Sequence, residues 1–99
     1  MKTAGSMEVV SFQMTTGTKL EDALGGIRSL DEFYKDKCGY QGMKAALGED
    51  GTWILVLHWD CAESEKSASA AMMASSETDP FKKLVIPQTV TKKIYPCFI

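Results

Sequence analysis

The sequence predicts an α+β fold of order βαββαβ, with a four-stranded antiparallel sheet carrying two helices on one face. Three observations predict it. Runs 40–47 and 52–59 read as strands flanking Gly48-Glu49-Asp50-Gly51, residues that tolerate a tight turn, so they form a hairpin. Runs 18–38 and 61–75 have helical character. Runs 7–14 and 90–99, rich in β-branched and aromatic residues, supply a strand at each end.

The first strand, MEVVSFQM at 7–14, carries apolar residues on both faces. Thr15-Thr16-Gly17 turns the chain, and Thr18 with Glu21 has capping-box spacing, where hydroxyl and carboxylate satisfy orphan helix N–H groups; a helix is expected from here. Leu20, Ala23, Leu24, Ile27, Leu30 and Tyr34 form one apolar stripe that ends near Cys38, with Gly39 as terminator. Gly25 and Gly26 inside this helix together cost about 2 kcal/mol relative to alanine, which predicts a bend or a close backbone approach.

In the third strand Trp53, Leu55, Leu57 and Trp59 point one way, and Ile54, Val56 and His58 the other. Asp60 with Glu63 has the spacing of a second helix start. The Ala- and Ser-rich helix 61–75 is expected to lie close to the sheet, with Met72 and Met73 filling irregular gaps. Thr78-Asp79-Pro80 opens a further short helix whose apolar side is Phe81, Leu84 and Val85, and Pro87 ends it. In the last strand, 90–99, Pro96 removes a ladder donor and assigns that part to an edge or a bulge. Right-handed crossovers put both helices on the same face, which is the ferredoxin-like arrangement.

Both faces of the third strand are apolar, yet helices on one side can cover only one of them. The expected cover for the other is a second copy of the chain, giving a homodimer through the sheet face. The 99 residues suit one domain, expected over 7–99, with 1–6 a flexible leader because Met7 follows Gly5-Ser6.

A net charge of −2, with Lys and Arg scattered among acidic residues, gives no field to attract a polyanion, so no nucleic acid is expected as a partner. No apolar run approaches the ~20 residues that span a bilayer, and the first residues lack an apolar export segment, so no membrane is expected and the location expected is cytoplasmic. Cys38, Cys61 and Cys97 are odd in number and form no CxxC pair, which argues for reduced, structural thiols and against a thiolate metal site.

Four segments then resemble the dimeric α+β-barrel superfamily that includes antibiotic-biosynthesis and haem-degrading monooxygenases. They are Thr15-Thr16-Gly17-Thr18, Gly39-Tyr40-Gln41-Gly42-Met43, Ile54-Leu55-Val56-Leu57-His58-Trp59 and Thr78-Asp79-Pro80-Phe81-Lys82-Lys83, and in succession they cover most of 7–99. The resemblance implies two sheets meeting back to back in a barrel and a pocket between sheet and helices in each subunit. In the haem-degrading branch an asparagine, a tryptophan and a histidine form the active constellation. Here Trp59 matches the tryptophan, but Val10 stands at the asparagine position and Val85 at the histidine position. Valine neither ligates iron nor donates a hydrogen bond, so haem degradation is not expected and neither a cofactor nor a metal is called for.

The expected ligand-binding residues are Trp59, Phe12, Met72 and Phe81, around a pocket for a small apolar or aromatic molecule. Each is equally explained as core. His58 reads as a hydrogen-bonded interface residue, Arg28 as a solvated charge, and Tyr34, Tyr40 and Tyr95 as proton donors or as edge tyrosines. No catalytic residue is assigned. Two functions stay open: cofactor-independent oxidation of an aromatic or quinol-type compound, and a non-catalytic small-molecule-binding or structural dimer. A polar group aimed into the pocket beside Trp59 favours the enzyme, whereas a pocket filled by Met72, Met73 and Phe81 favours the binder.

Overall fold

A computed structural model describes residues 3–99. Strand β1 (Ser6–Phe12) leads to helix α1 (Leu20–Tyr34), then to the hairpin of β2 (Tyr40–Leu47) and β3 (Trp53–Trp59). Helix α2 (Ala62–Ala74), a 3-10 turn at Ser76–Thr78 and the one-turn helix α3 (Asp79–Lys82) follow, and a second 3-10 turn at Pro87–Thr89 leads into β4 (Thr91–Pro96). The sheet order is β2-β3-β1-β4, every pairing is antiparallel, and the crossovers are the two helical segments, so the ferredoxin-like arrangement is present.

Alternation along the strands sorts their side chains as expected. Trp53, Leu55, Leu57 and Trp59 of β3, with Phe12 of β1, are buried against Ala23, Ile27, Leu30 and Tyr34 of α1, Ala68 of α2 and Phe81 of α3. The opposite face carries Met7, Val9, Ile54 and Val56, half-buried by their sheet neighbours, and the exposed His58 and Tyr95. The buried core lies wholly on the helix side of the sheet.

Gly26 allows α3 to pack on α1. A Cβ there would stand 2.9 Å from the Pro80 carbonyl oxygen and 3.2 Å from the Phe81 Cα, so the close approach expected at the glycine pair is real. At Gly25 a Cβ would meet nothing within 4 Å. Gly39 sits at φ +83°, the left-handed conformation that ends the turn into β2.

Several local expectations are corrected. Chain 1–6 is no free leader in its later part: β1 begins at Ser6, the Ala4 N–H donates to the Cys97 carbonyl at 2.6 Å, and the Cys97 N–H donates to Gly5 at 2.8 Å. Met1 and Lys2 lie outside the described residues. Strand β1 stops at Phe12, because Gln13, Met14 and Thr15 turn to bond Ile86, Val85 and Leu84. The capping box does not form: Lys19 is the N-cap of α1, and the Thr18 hydroxyl donates to the Thr15 carbonyl at 2.6 Å. Helix α1 ends at Tyr34, four residues before Cys38, as the chain enters turns. Cys61, not Asp60, is the N-cap of α2. Strand β4 spans 91–96 within the expected 90–99, at the sheet edge where Pro96 is tolerated. Cys38 and Cys61 are exposed, so burial does not explain them. Met73, expected to fill a gap, is 65% exposed.

Candidate functional site

Between the sheet and the helices lies a cavity of about 430 Å³, within the range of small-molecule sites. Its floor is the helix side of β1 and β3, with Val10, Phe12, Leu55 and Leu57; Leu30 and Tyr34 of α1 and Met72 of α2 form walls. Phe81, Val85 and Pro87 close one end, where 13–15 and 84–86 are hydrogen-bonded together. The Phe12 and Phe81 rings meet edge to face at 5.4 Å, which fixes both.

The other end is polar. Glu8 has the same orientation as Val10 and Phe12, because residues two apart on a strand share a face, and its carboxylate is buried on the cavity wall with 4% of the residue exposed. The Trp59 indole N–H donates to Glu8 Oε1 at 3.0 Å. Lys92, opposite Val10 in the ladder, brings its Nζ to 3.8 Å from Glu8 Oε2, pairs with Glu65 of α2 and donates to the Ser69 hydroxyl at 3.2 Å. Glu65 is 4% exposed. Burial pushes the Glu8 carboxyl up from its ordinary value, with help from the Glu65 charge, while the Trp59 hydrogen bond and the Lys92 charge hold it down. Burial and the Glu8 and Glu65 carboxylates push the Tyr34 phenol up, so it stays neutral.

Trp59 itself does not line the cavity. It is 1% exposed, packed edge-on to Tyr34 at 5.2 Å and against Tyr40 at 5.0 Å, and it reaches the cavity through Glu8 and Tyr34. Tyr40 is fastened to α1 by a 2.6 Å hydrogen bond to Asp31. Of the residues expected to bind a ligand, Phe12, Met72 and Phe81 stand on the wall and Trp59 behind it. His58 points out of the opposite face, and Arg28 is exposed. Val10 and Val85, at the asparagine and histidine positions of the haem-degrading pattern, both line the cavity, so those positions do not fit haem.

Sequence reasoning passed over Glu8, Glu65 and Lys92. A lone glutamate between Met7 and Val9 is the only trace in the first strand. A carboxylate on the face that also carries Val10 and Phe12 was the available signal.

The sheet order and the helices on one face define a ferredoxin-like α+β fold, and solved structures described as antibiotic biosynthesis monooxygenases share it. Among solved structures, a mutant of SnoaB, a cofactor-independent oxygenase from Streptomyces nogalater, matches with a TM-score of 0.74 at 11% identity, over 93% of this chain and 91% of that one. A putative antibiotic biosynthesis monooxygenase from Nitrosomonas europaea matches with a TM-score of 0.73 at 12% identity, over 97% and 92% of the two chains. Another from Bordetella bronchiseptica matches with a TM-score of 0.71 at 14% identity, over 96% and 99%. No family model matches the sequence, and no curated protein matches it either. No described helix is long and apolar enough to cross a membrane.

Proposed function

We propose that this protein is a cytoplasmic, homodimeric, monooxygenase-like enzyme that oxidises a small aromatic or quinol-type compound without a cofactor, with Glu8 as its general base. The observation that carries the reading is a buried carboxylate of elevated pKa on the wall of an otherwise apolar cavity. An organic substrate that reacts with dioxygen unaided must itself be the reductant, and losing a proton makes an aromatic ring far more electron-rich. Glu8 takes that proton, and the carbanion or phenolate then reduces dioxygen. An activated CH₂ becomes C=O, with one oxygen atom entering the product and the other leaving as water. A carboxyl whose pKa lies nearer neutrality is the stronger base at working pH. The neutral Tyr34 phenol supplies a hydrogen-bond donor at the same wall. A fold shared with a cofactor-independent oxygenase supports the reading.

The test is dioxygen consumption with a panel of two- and three-ring phenols and hydroquinones whose keto tautomers carry the activated CH₂. Glu8→Gln is expected to lower turnover by about a hundredfold or more, the usual scale for a general base, while ligand quenching of tryptophan fluorescence persists. If no compound on the panel drives dioxygen uptake by the parent protein, the enzymatic reading falls.

A second reading, a binder without chemistry, draws on the internal pairing of Glu8 with Trp59 and Lys92 and on the valines at 10 and 85. It expects ligand quenching that Glu8→Gln leaves intact and no dioxygen uptake at all.

A further inference from the structure

We propose that Glu65 and Lys92 are positioning residues for Glu8, with Lys92, which also pairs with Glu65, holding the charge that decides when the cavity carboxylate is ionised. The geometry is a row of three charged groups from three elements: Glu8 on β1, Lys92 on the edge strand β4 and Glu65 on α2. Both carboxylates are 94% buried as side chains, whereas the Lys92 side chain keeps 36% of its surface open. Such a row carries one more negative than positive charge if fully ionised. In a low dielectric that excess is relieved most readily by a proton retained on one carboxyl.

Glu8 stands 3.8 Å from Lys92, and burial together with the Glu65 charge raises its carboxyl, so Glu8 is the group that takes the proton. The groups facing Glu8 are Tyr34 from α1, Tyr40 from β2, Glu65 from α2, the Trp59 indole from β3 and Lys92 from β4. Of these, only Lys92 is positive. Lys92 donates a hydrogen bond to the Ser69 hydroxyl and stands beside the Glu8 and Glu65 carboxylates as their ion-pair partner. Its task is to hold a charge in place.

The catalytic meaning of this arrangement rests on Glu8 acting as the base, but its test needs no substrate. Trp59 donates to Glu8, so its fluorescence reports the protonation of Glu8, and a Trp53→Phe background isolates the signal because the chain has two tryptophans. The emission should titrate with a midpoint above the ordinary glutamate value, and Glu8→Gln should abolish the transition. Lys92→Met should raise the midpoint by about one unit or more. Glu65→Gln should lower it, since it removes a negative charge and frees Lys92 to close on Glu8, and Lys92→Arg should restore the parent value. Should Lys92→Met not fold, Lys92→Gln carries the same expectation. Midpoints of the Lys92 and Glu65 variants within about 0.2 units of the parent, shifts of the same sign, or a transition that survives Glu8→Gln overturn the proposal. Shifts as expected in a protein that consumes no dioxygen would instead sink the oxidase chemistry and leave this arrangement standing.

Discussion

Glu8 illustrates how one side chain can be a liability to the fold and an asset to the site. Its carboxyl is raised in the folded protein because burial disfavours the anion, so the sign of its effect on stability follows. Below the unfolded value the group is protonated in both states and costs nothing. As pH rises from there to the folded value, the unfolded chain ionises first and the native state loses ground, by about 1.4 kcal/mol for each unit of elevation. Glu8→Gln keeps an acceptor for the Trp59 N–H without a charge to desolvate. Thermal unfolding of the two proteins from about pH 4 to 7 should therefore converge at the acid end and favour Glu8→Gln at the neutral end. A gap that narrows as pH rises would contradict the elevation. None of this could be read locally. Glu8 owes its burial to Trp59 and Lys92, both distant in the chain, and periodicity reports only which face a residue occupies.

Among the elements, the glycine pair of α1 separates two roles that the sequence lists side by side. Gly26 faces α3 at a distance that leaves no room for a methyl group, and Gly25 faces open space. Gly26→Ala should destabilise the protein by about 1–3 kcal/mol by forcing α3 away from α1. Gly25→Ala should stabilise it by up to about 1 kcal/mol, the ordinary helical preference. Chemical denaturation of the pair checks both signs at once. The short helix α3 is further tied to α2 by Lys82, whose ammonium donates to the Met72, Met73 and Ser75 carbonyls at 3.1, 3.1 and 2.7 Å, closing the C-terminus of α2. Strands were more legible than helix ends. The alternation of Trp53 through Trp59 sets orientation whatever packs on it, whereas Thr18 and Asp60 matched capping patterns that depend on a turn geometry the surrounding chain does not adopt.

For the molecule as a whole, the uncovered sheet face is the largest unmet demand. Met7, Val9, Ile54, Val56 and Tyr95 share it, and all the buried core is on the other side. The homodimer proposed above uses this face, so light scattering should return twice the mass of one chain. Val56→Glu, at the centre of β3 and beside Val9, should return a single mass, because burying two unpaired carboxylates per dimer costs several kcal/mol. A parent protein that stays single at high concentration would remove the dimer. The fold order, the hairpin and the two-faced sheet all follow from patterns of period two and three to four, so they are visible in one dimension. The polar end of the cavity is not, because it assembles one residue from each of several elements that meet only in three dimensions.

Lys92 belongs to β4, an edge strand exposed along its whole length and paired on one side only, to β1. Edge strands fray before central ones. Lys92, the cation beside Glu8, thus stands on the strand with the least cover in the sheet, while Glu8 itself is buried beneath the helices.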